Sequence, residues 1–291
     1  MRPSSSPRAL IALHVAVLLF GAAGVFGKSL AAPALVLVFG RTLFAALALT
    51  LWLLARRQLS LAGVKWQAIV CGALLAVHWL SFFEAVLSST VAIGLLGFAS
   101  FPVFVTWLEP WWFKEPRRRS DMVAAFAIVA GLWLLVPPGD WSGRAVVGLG
   151  WGIFSGFTFA LLALANRAVA RELPPARLAW LQNSVAALLL APFVTWPLSL
   201  PVSTWAGLAV LGIVCTALSH SLFMFSLTAL PARLASVTTA LEPVYGIALA
   251  LFFLNERPSA REWMASIVII GTTALATWWH GRVKPATPQN V

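Results

Sequence analysis

Charge is what this sequence has least of. Only 10% of its 291 residues are Asp, Glu, Lys or Arg, and the acidic ones number nine. A soluble domain carries about 25% charged residues, so the chain lacks the polar surface to face water. It has one tyrosine and two cysteines. Two cysteines exclude a disulfide framework, and Cys71 and Cys215 both fall inside apolar stretches, where they read as small core residues. There is no metal-ligand cluster, no phosphate-binding glycine loop and no nucleophile elbow. An enzyme reading therefore has almost nothing to stand on, and no cofactor or metal is expected. Sustained apolar/polar alternation is also missing, which excludes a transmembrane β-barrel.

What remains is apolar helix. Sixty per cent of the residues are hydrophobic and the mean hydropathy is +0.90. The apolar stretches have the length of about 20 residues that crosses a bilayer as a helix. The fold class is all-α membrane protein, with ten transmembrane helices near 10–31, 33–54, 66–87, 91–113, 122–138, 146–166, 178–197, 203–228, 232–254 and 262–279. Connectors such as Ser88-Ser89-Thr90 and Leu230-Pro231 leave no room for a soluble domain. Arg2, Arg8, the apolar run to Phe26 and Ala22-Ala23-Gly24 have the look of a signal peptide. The segment is read as retained, because its loss would strip the first half of the partner to span six.

The net charge of +11 does not point to nucleic acid, because the basic residues cluster between spans. With the amino terminus in the cytoplasm, fifteen of them (Arg2, Arg8, Arg56, Arg57, Lys65, Lys114, Arg117, Arg118, Arg119, Arg167, Arg171, Arg177, Arg233, Arg282 and Lys284) fall on that side. Arg144, Arg257 and Arg261 fall opposite. Such an excess is the positive-inside pattern, and it predicts two cytoplasmic termini. Most tryptophans, including Trp66, Trp141, Trp196, Trp205, Trp263 and Trp278, mark span ends as interfacial anchors.

The sequence also repeats itself. Phe101-Pro102-Val103 is followed, 13 residues after the proline, by Lys114-Glu115; Glu242-Pro243-Val244 is followed at the same distance by Asn255-Glu256-Arg257. Gly131 and Gly271 follow the two charged knots, and Trp66 and Trp205 open the apolar segments upstream. Two five-helix halves, 1–138 and 146–279, with a cytoplasmic tail at 280–291, account for this pattern. An odd number of spans per half turns the second upside down, giving an inverted repeat with a site between the halves.

With Lys28 at the end of the first span, these features resemble the drug/metabolite transporter superfamily in its ten-helix EamA-type branch. The aromatic-rich third and fourth spans look most like the aromatic amino acid exporters. The resemblance implies a bacterial inner-membrane carrier moving small metabolites outward. Four-helix multidrug members carry a proton-binding glutamate in mid-helix one; here Val15 to Gly27 holds no carboxylate.

Candidate site residues follow from polarity at membrane depth. His78 and His220 lie midway along spans three and eight, where a polar group is costly unless it faces the bundle interior or water. Each either lines a cavity or bonds a backbone carbonyl of a neighbouring helix. Leu75, Trp79, Phe82 and Phe83 surround His78 at helical spacing. With Phe98 and Phe101 on span four, and Phe154 and Phe157 on span six, they form either a stacking cage or a lipid-facing surface. Pro102 and Pro243 are kink or gating positions, flanked by small and polar residues including Gly94, Gly97, Ser100, Ser236, Thr238 and Thr239. Thr239, Tyr245, Asn183 and Ser219 are polar lining candidates. Lys28 snorkels to the outer interface. Arg41 is either a structural brace or an attractor of an anionic substrate group, with no carboxylate seen to pair with it. Glu84, Glu109 and Glu242 are read as solvated or paired near span ends.

The expected function is a monomeric secondary carrier in contact with lipid and a small-molecule substrate, exporting amino acids, aromatic ones preferred, by alternating access. The alternative is an organic cation or a nucleotide-like solute. Spans three, four and six on one side, and eight and nine on the other, are expected to line the path, with five and ten at the periphery.

Overall fold

The computed structural model describes residues 7–114, 119–136, 143–169, 173–195, 199–230, 238–239 and 241–280. Glu115, Arg2, Arg117, Arg118, Arg171, Arg233, Ser236, Trp141, Trp196, Arg282 and Lys284, and the tail at 281–291, lie outside them. The helices are α1 (Pro7–Ser29), α2 (Ala34–Ala55), α3 (Trp66–Ser88), α4 (Val91–Phe98), α5 (Phe101–Phe113), α6 (Arg119–Leu134), α7 (Arg144–Val169), α8 (Pro175–Leu190), α9 (Val202–Gly212), α10 (Ser219–Ala229), α11 (Glu242–Phe253) and α12 (Ala260–His280). Among the described residues six helical segments are long and apolar enough to cross a membrane: α1, α2, α3, Val91–Phe113, Arg144–Asn166 and Val202–Phe223.

Prolines set where several helices begin. Pro33, Pro174 and Pro201 hold extended N-cap positions before α2, α8 and α9. A proline has no N–H to leave unbonded there, and its fixed φ suits a helix start. Pro102 and Pro243 work the same way inside spans four and nine, each in the first turn of a new helix. Span four therefore breaks after Phe98 rather than bending smoothly. Span eight is continuous but changes pitch, with a π-helical turn over Ile213–Leu218 joining α9 to α10.

The packing obeys two-fold pseudo-symmetry. Span three packs on six as eight packs on one: α3 on α7, and α10 with its π turn on α1. Span four packs on six as nine packs on one: α4 and α5 on α7, and α11 on α1. Span three packs on seven as eight packs on two: α3 on α8, and α9 on α2. The self-related pairs, α2 with α8 and α6 with α12, touch each other directly. This is the pattern two inverted halves produce.

Glycine permits the two equivalent close approaches. A Cβ on Gly21 of α1 would lie 2.7 Å from the Glu242 carbonyl oxygen and 2.8 Å from the Gly246 nitrogen of α11. A Cβ on Gly97 of α4 would lie 3.0 Å from Gly152 Cα of α7. Small residues of this kind let membrane helices meet backbone to backbone. Replacing Gly21 with leucine should cost about 1–3 kcal/mol by overpacking. Thermal unfolding in detergent should show a lower midpoint; an unchanged midpoint would refute the contact.

One core runs through both halves. Leu37, Phe39 and Phe83 of the first share a buried cluster with Leu162, Leu181 and Leu208 of the second. Cys71 and Cys215 are buried free thiols. Gly131 and Gly271 are not equivalent in packing: Gly131 meets Ile269 of α12, whereas Gly271 has open space around it. Trp66, Trp263 and Trp278 are exposed as anchors are. Trp205 is instead partly buried, edge-on to Phe44.

The expectation of peripheral spans five and ten is overturned. Ile128 and Leu132 of α6 share a buried cluster with Ala265 and Ile269 of α12, and the same pair of helices walls the principal cavity. Their outer faces, with Val123, Trp133 and Ile267, are exposed, but their inner faces are not.

Candidate functional site

The apolar residues of α6 conceal a stripe. Asp121, Ala124, Ala125 and Ile128 follow one another at the i, i+3, i+4, i+7 spacing of a single helix face. On α12 the facing positions are Ile269, Ile270, Thr273 and Ala276. These two faces, with α5 on one side and α10 and α11 on the other, enclose a cavity of about 500 Å³ between the halves.

Its deeper wall is aromatic. Phe98 stacks on Phe101 with centroids 5.6 Å apart, and Phe159 meets both edge-on at 5.1 and 5.3 Å. All three rings line the cavity, as do Phe223, Pro102, Pro243 and Thr239. Its polar groups are Thr106, Thr239 and Thr273 and two carboxylates, Asp121 and Glu242. Among the described residues no lysine, arginine or histidine lines it.

Of the residues singled out from sequence, Phe98, Phe101, Pro102, Thr239 and Pro243 meet at this cavity. The others do not line it, for identifiable reasons. His78 lies one layer behind the aromatic wall, its Nδ1 2.9 Å from Ser155 Oγ and 3.1 Å from Ser155 O on α7. Its ring rests 5.3 Å from Phe98 and 4.9 Å from Phe159, and Phe82 packs against it from the same helix. Trp79 lies beneath a guanidinium, described below. Phe157 pairs with Phe104 at 5.3 Å, and Phe154 turns outward beside Trp151. His220 Nδ1 is 3.1 Å from the Thr216 carbonyl in its own helix, with Phe20 edge-on to its ring. Ser219 donates to the Cys215 and Thr216 carbonyls. Asn183 donates to the Ala179 carbonyl 2.8 Å away, also within its helix. Tyr245 Oη bonds His14 Nδ1 of α1 at 3.0 Å. Backbone carbonyls and neighbouring side chains take up these polar groups, except for the buried Asn183 Oδ1, which has no hydrogen-bond partner among the described residues.

The missed residues are Asp121, Thr106, Phe159, Phe223, Glu242 and Thr273. The α6 stripe was a usable signal. Glu242 was misplaced as a span-end residue. It opens the 12-residue α11, which at 1.5 Å per residue puts it about 18 Å from that helix's outer end.

Arg41 is 4% exposed. Its Nε donates to Thr216 Oγ1 at 2.7 Å, and its guanidinium carbon lies 3.8 Å above the Trp79 ring. The π turn sets up this contact: Thr216 donates in turn to the Leu211 carbonyl five residues back.

At the Lys28 end the halves are tied together. Lys28 does not snorkel: Nζ forms a 2.6 Å ion pair with Glu256 and donates to the Ser89 carbonyl, also at 2.6 Å. The second Glu256 oxygen accepts the Val91 N–H at 2.8 Å, at the start of α4. Thr90 caps the same helix by accepting from the Ile93 N–H, and donates to Glu262 at 3.0 Å. Connections following α3 and α11, one from each half, are thus joined at one face. The cavity lining stops short of that face and reaches the Asp121 end of α6. The Lys28 contacts lie away from the cavity, whose lining includes Asp121 in the first turn of α6.

The EamA-like transporter family matches this chain twice, over residues 7–136 and 146–278. An uncharacterized transporter of Bacillus subtilis (strain 168), YxxF, is 25% identical over 283 residues, spanning 92% of this chain and 88% of that one. The threonine/homoserine exporter RhtA of Escherichia coli (strain K12) is 31% identical over 166 residues, spanning 55% of this chain and 56% of the exporter. One solved protein structure aligns with a TM-score of 0.66 at 22% identity, covering 96% of this chain and 100% of that one, a likeness of fold alone.

Proposed function

Because this chain belongs to the EamA-like transporter family, we propose that it is a secondary carrier exporting amino acids, with aromatic side chains preferred, across a bacterial inner membrane. The observation that carries this reading is the cavity between the halves, with four phenylalanine rings in its wall. Aromatic solutes gain about 0.5–1.5 kcal/mol from such ring contacts beyond area burial. The amino-acid class draws on the partial similarity to an exporter named for threonine and homoserine.

Positive-inside orientation puts Arg119 and the open end of the cavity in the cytoplasm, with both termini, and puts the Lys28–Glu256 closure outside. On this reading the conformation is inward-facing, with the Asp121 end of the cavity as its open end. Export follows when the Lys28–Glu256 contact parts and the Asp121 end shuts. The carrier is proposed to work as a monomer, since the cavity is built from one chain.

The two carboxylates in the lining favour a second reading, an organic cation. A nucleotide-like solute is disfavoured by the same carboxylates and by the lack of cations among the described lining residues.

Counterflow of labelled phenylalanine, tryptophan and threonine into proteoliposomes tests the proposal. Uptake above protein-free liposomes, strongest for the aromatic pair, is expected; no uptake of any amino acid would overturn it. His78→Ala should lower phenylalanine flux severalfold without abolishing it, because the ring props Phe98 and Phe159 from behind. Complete loss at normal protein yield would instead put His78 in contact with solute.

A further inference from the structure

Taking the cavity as the solute path, we infer that the Glu242 carboxylate receives the ammonium group of the solute, so that the carrier selects amines bearing an apolar substituent. Glu242 stands well inside the hydrocarbon, where a carboxylate is costly unless it faces a polar partner or water. It faces the cavity. It also opens α11, and the positive end of a helix favours an anion.

The rest of the lining agrees on the sign of the charge. Asp121 also lines the cavity, and no described lysine, arginine or histidine does. A cation in the cavity meets Glu242 and the rings of Phe98, Phe101, Phe159 and Phe223. Aromatic faces attract ammonium groups and also accept an apolar substituent. Arg41 does not line the cavity. Its guanidinium is engaged by Thr216 and Trp79. A volume of about 500 Å³ is ample for an amine of amino-acid size, within the 300–1,000 Å³ usual for ligand pockets.

Two sources share this chemistry, a zwitterionic amino acid and a monocationic amine. Phenylalanine, phenethylamine and 3-phenylpropionate separate them, since they share a ring and differ in the groups attached. In proteoliposomes loaded for phenylalanine counterflow, phenethylamine should compete and 3-phenylpropionate should be at least tenfold weaker. Glu242→Gln should raise the phenylalanine KM at least tenfold and abolish competition by phenethylamine, while Glu242→Asp keeps the rank order. Uptake of labelled phenethylamine itself would assign the monocation as a substrate. Competition without uptake would assign the zwitterion, and either supports the ammonium site.

Equal competition by 3-phenylpropionate would overturn the inference, as would a Glu242→Gln variant with wild-type KM and rank order. Should wild-type protein move no phenylalanine, the amino-acid export reading fails and the ammonium site is read separately. Phenethylamine should then raise the melting temperature of purified wild-type protein and not that of Glu242→Gln. No rise in the wild type, or the same rise in both, would overturn it.

Discussion

Exchanging Lys28 for methionine is expected to turn the carrier outward. The ion pair it forms with Glu256 is 2.6 Å long, with the two side chains only 22% and 17% exposed. Hydrogen bonds to charged groups contribute about 1.5–3 kcal/mol net, and every 1.4 kcal/mol is tenfold in an equilibrium. Loss of this contact should shift the ratio of outward-closed to outward-open forms by about ten- to a hundredfold. Lys28→Glu should act more strongly, because it sets two carboxylates against each other. Pairing Lys28→Glu with Glu256→Lys should recover only part of the loss. The swapped pair restores the charge contact, but a lysine cannot accept the Val91 N–H that Glu256 holds at 2.8 Å. Distances between spin labels placed on the outer ends of α1 and α11 would report the shift. Wild-type distances in Lys28→Met would remove the contact from the closure.

The second large effect is expected at Arg41. This side chain ties α2 to the π turn through Thr216 and to α3 through Trp79. A hydrogen bond to a charged group contributes about 1.5–3 kcal/mol, and a desolvated cation–π contact contributes about 2 kcal/mol. Arg41→Leu should therefore lower both the yield of folded protein and its melting temperature. Arg41→Lys keeps the charge but not the planar fork that donates to Thr216 while lying over the indole, so it should fall between leucine and wild type. Equal stability of Arg41→Lys and wild type would mean that charge alone matters and that the stacking geometry is incidental.

Much of the fold was legible because membrane crossing imposes one rule on every span. Apolar length, basic clusters and the Pro102 and Pro243 repeats together implied two inverted halves, and the symmetric packing of α3 on α7 and of α10 on α1 fits them. Within the site, legibility tracked what competes for each side chain. Phe98, Phe101 and Thr239 are adjacent to the helix breaks that open the cavity. His220, Ser219 and Asn183 had the right polarity at the right depth, yet each is bonded to a carbonyl of its own helix. Sequence does not reveal which of those two fates a polar residue meets. Asp121 and Thr273 were hidden because α6 and α12 are apolar around most of their circumference, which blurs the stripe facing the cavity. Lys28 and Glu256 are far apart in the chain and meet only because the second half is inverted.

The path between the halves is tested most directly by single cysteines in a Cys71- and Cys215-free background. Thr106→Cys on α5 and Thr273→Cys on α12 face the cavity, whereas Ile267→Cys, on the same helix as Thr273, replaces a side chain that is 72% exposed on the outside of the bundle. A membrane-impermeant thiol reagent applied from the cytoplasmic side should label the first two and spare the third, with transported solute protecting both. Applied from outside, it should label them only when Lys28→Met is also present. Labelling of Ile267→Cys alone, or equal labelling of Thr106→Cys and Thr273→Cys from both sides in the parent protein, would contradict a closed outer face and a solute path between the two halves.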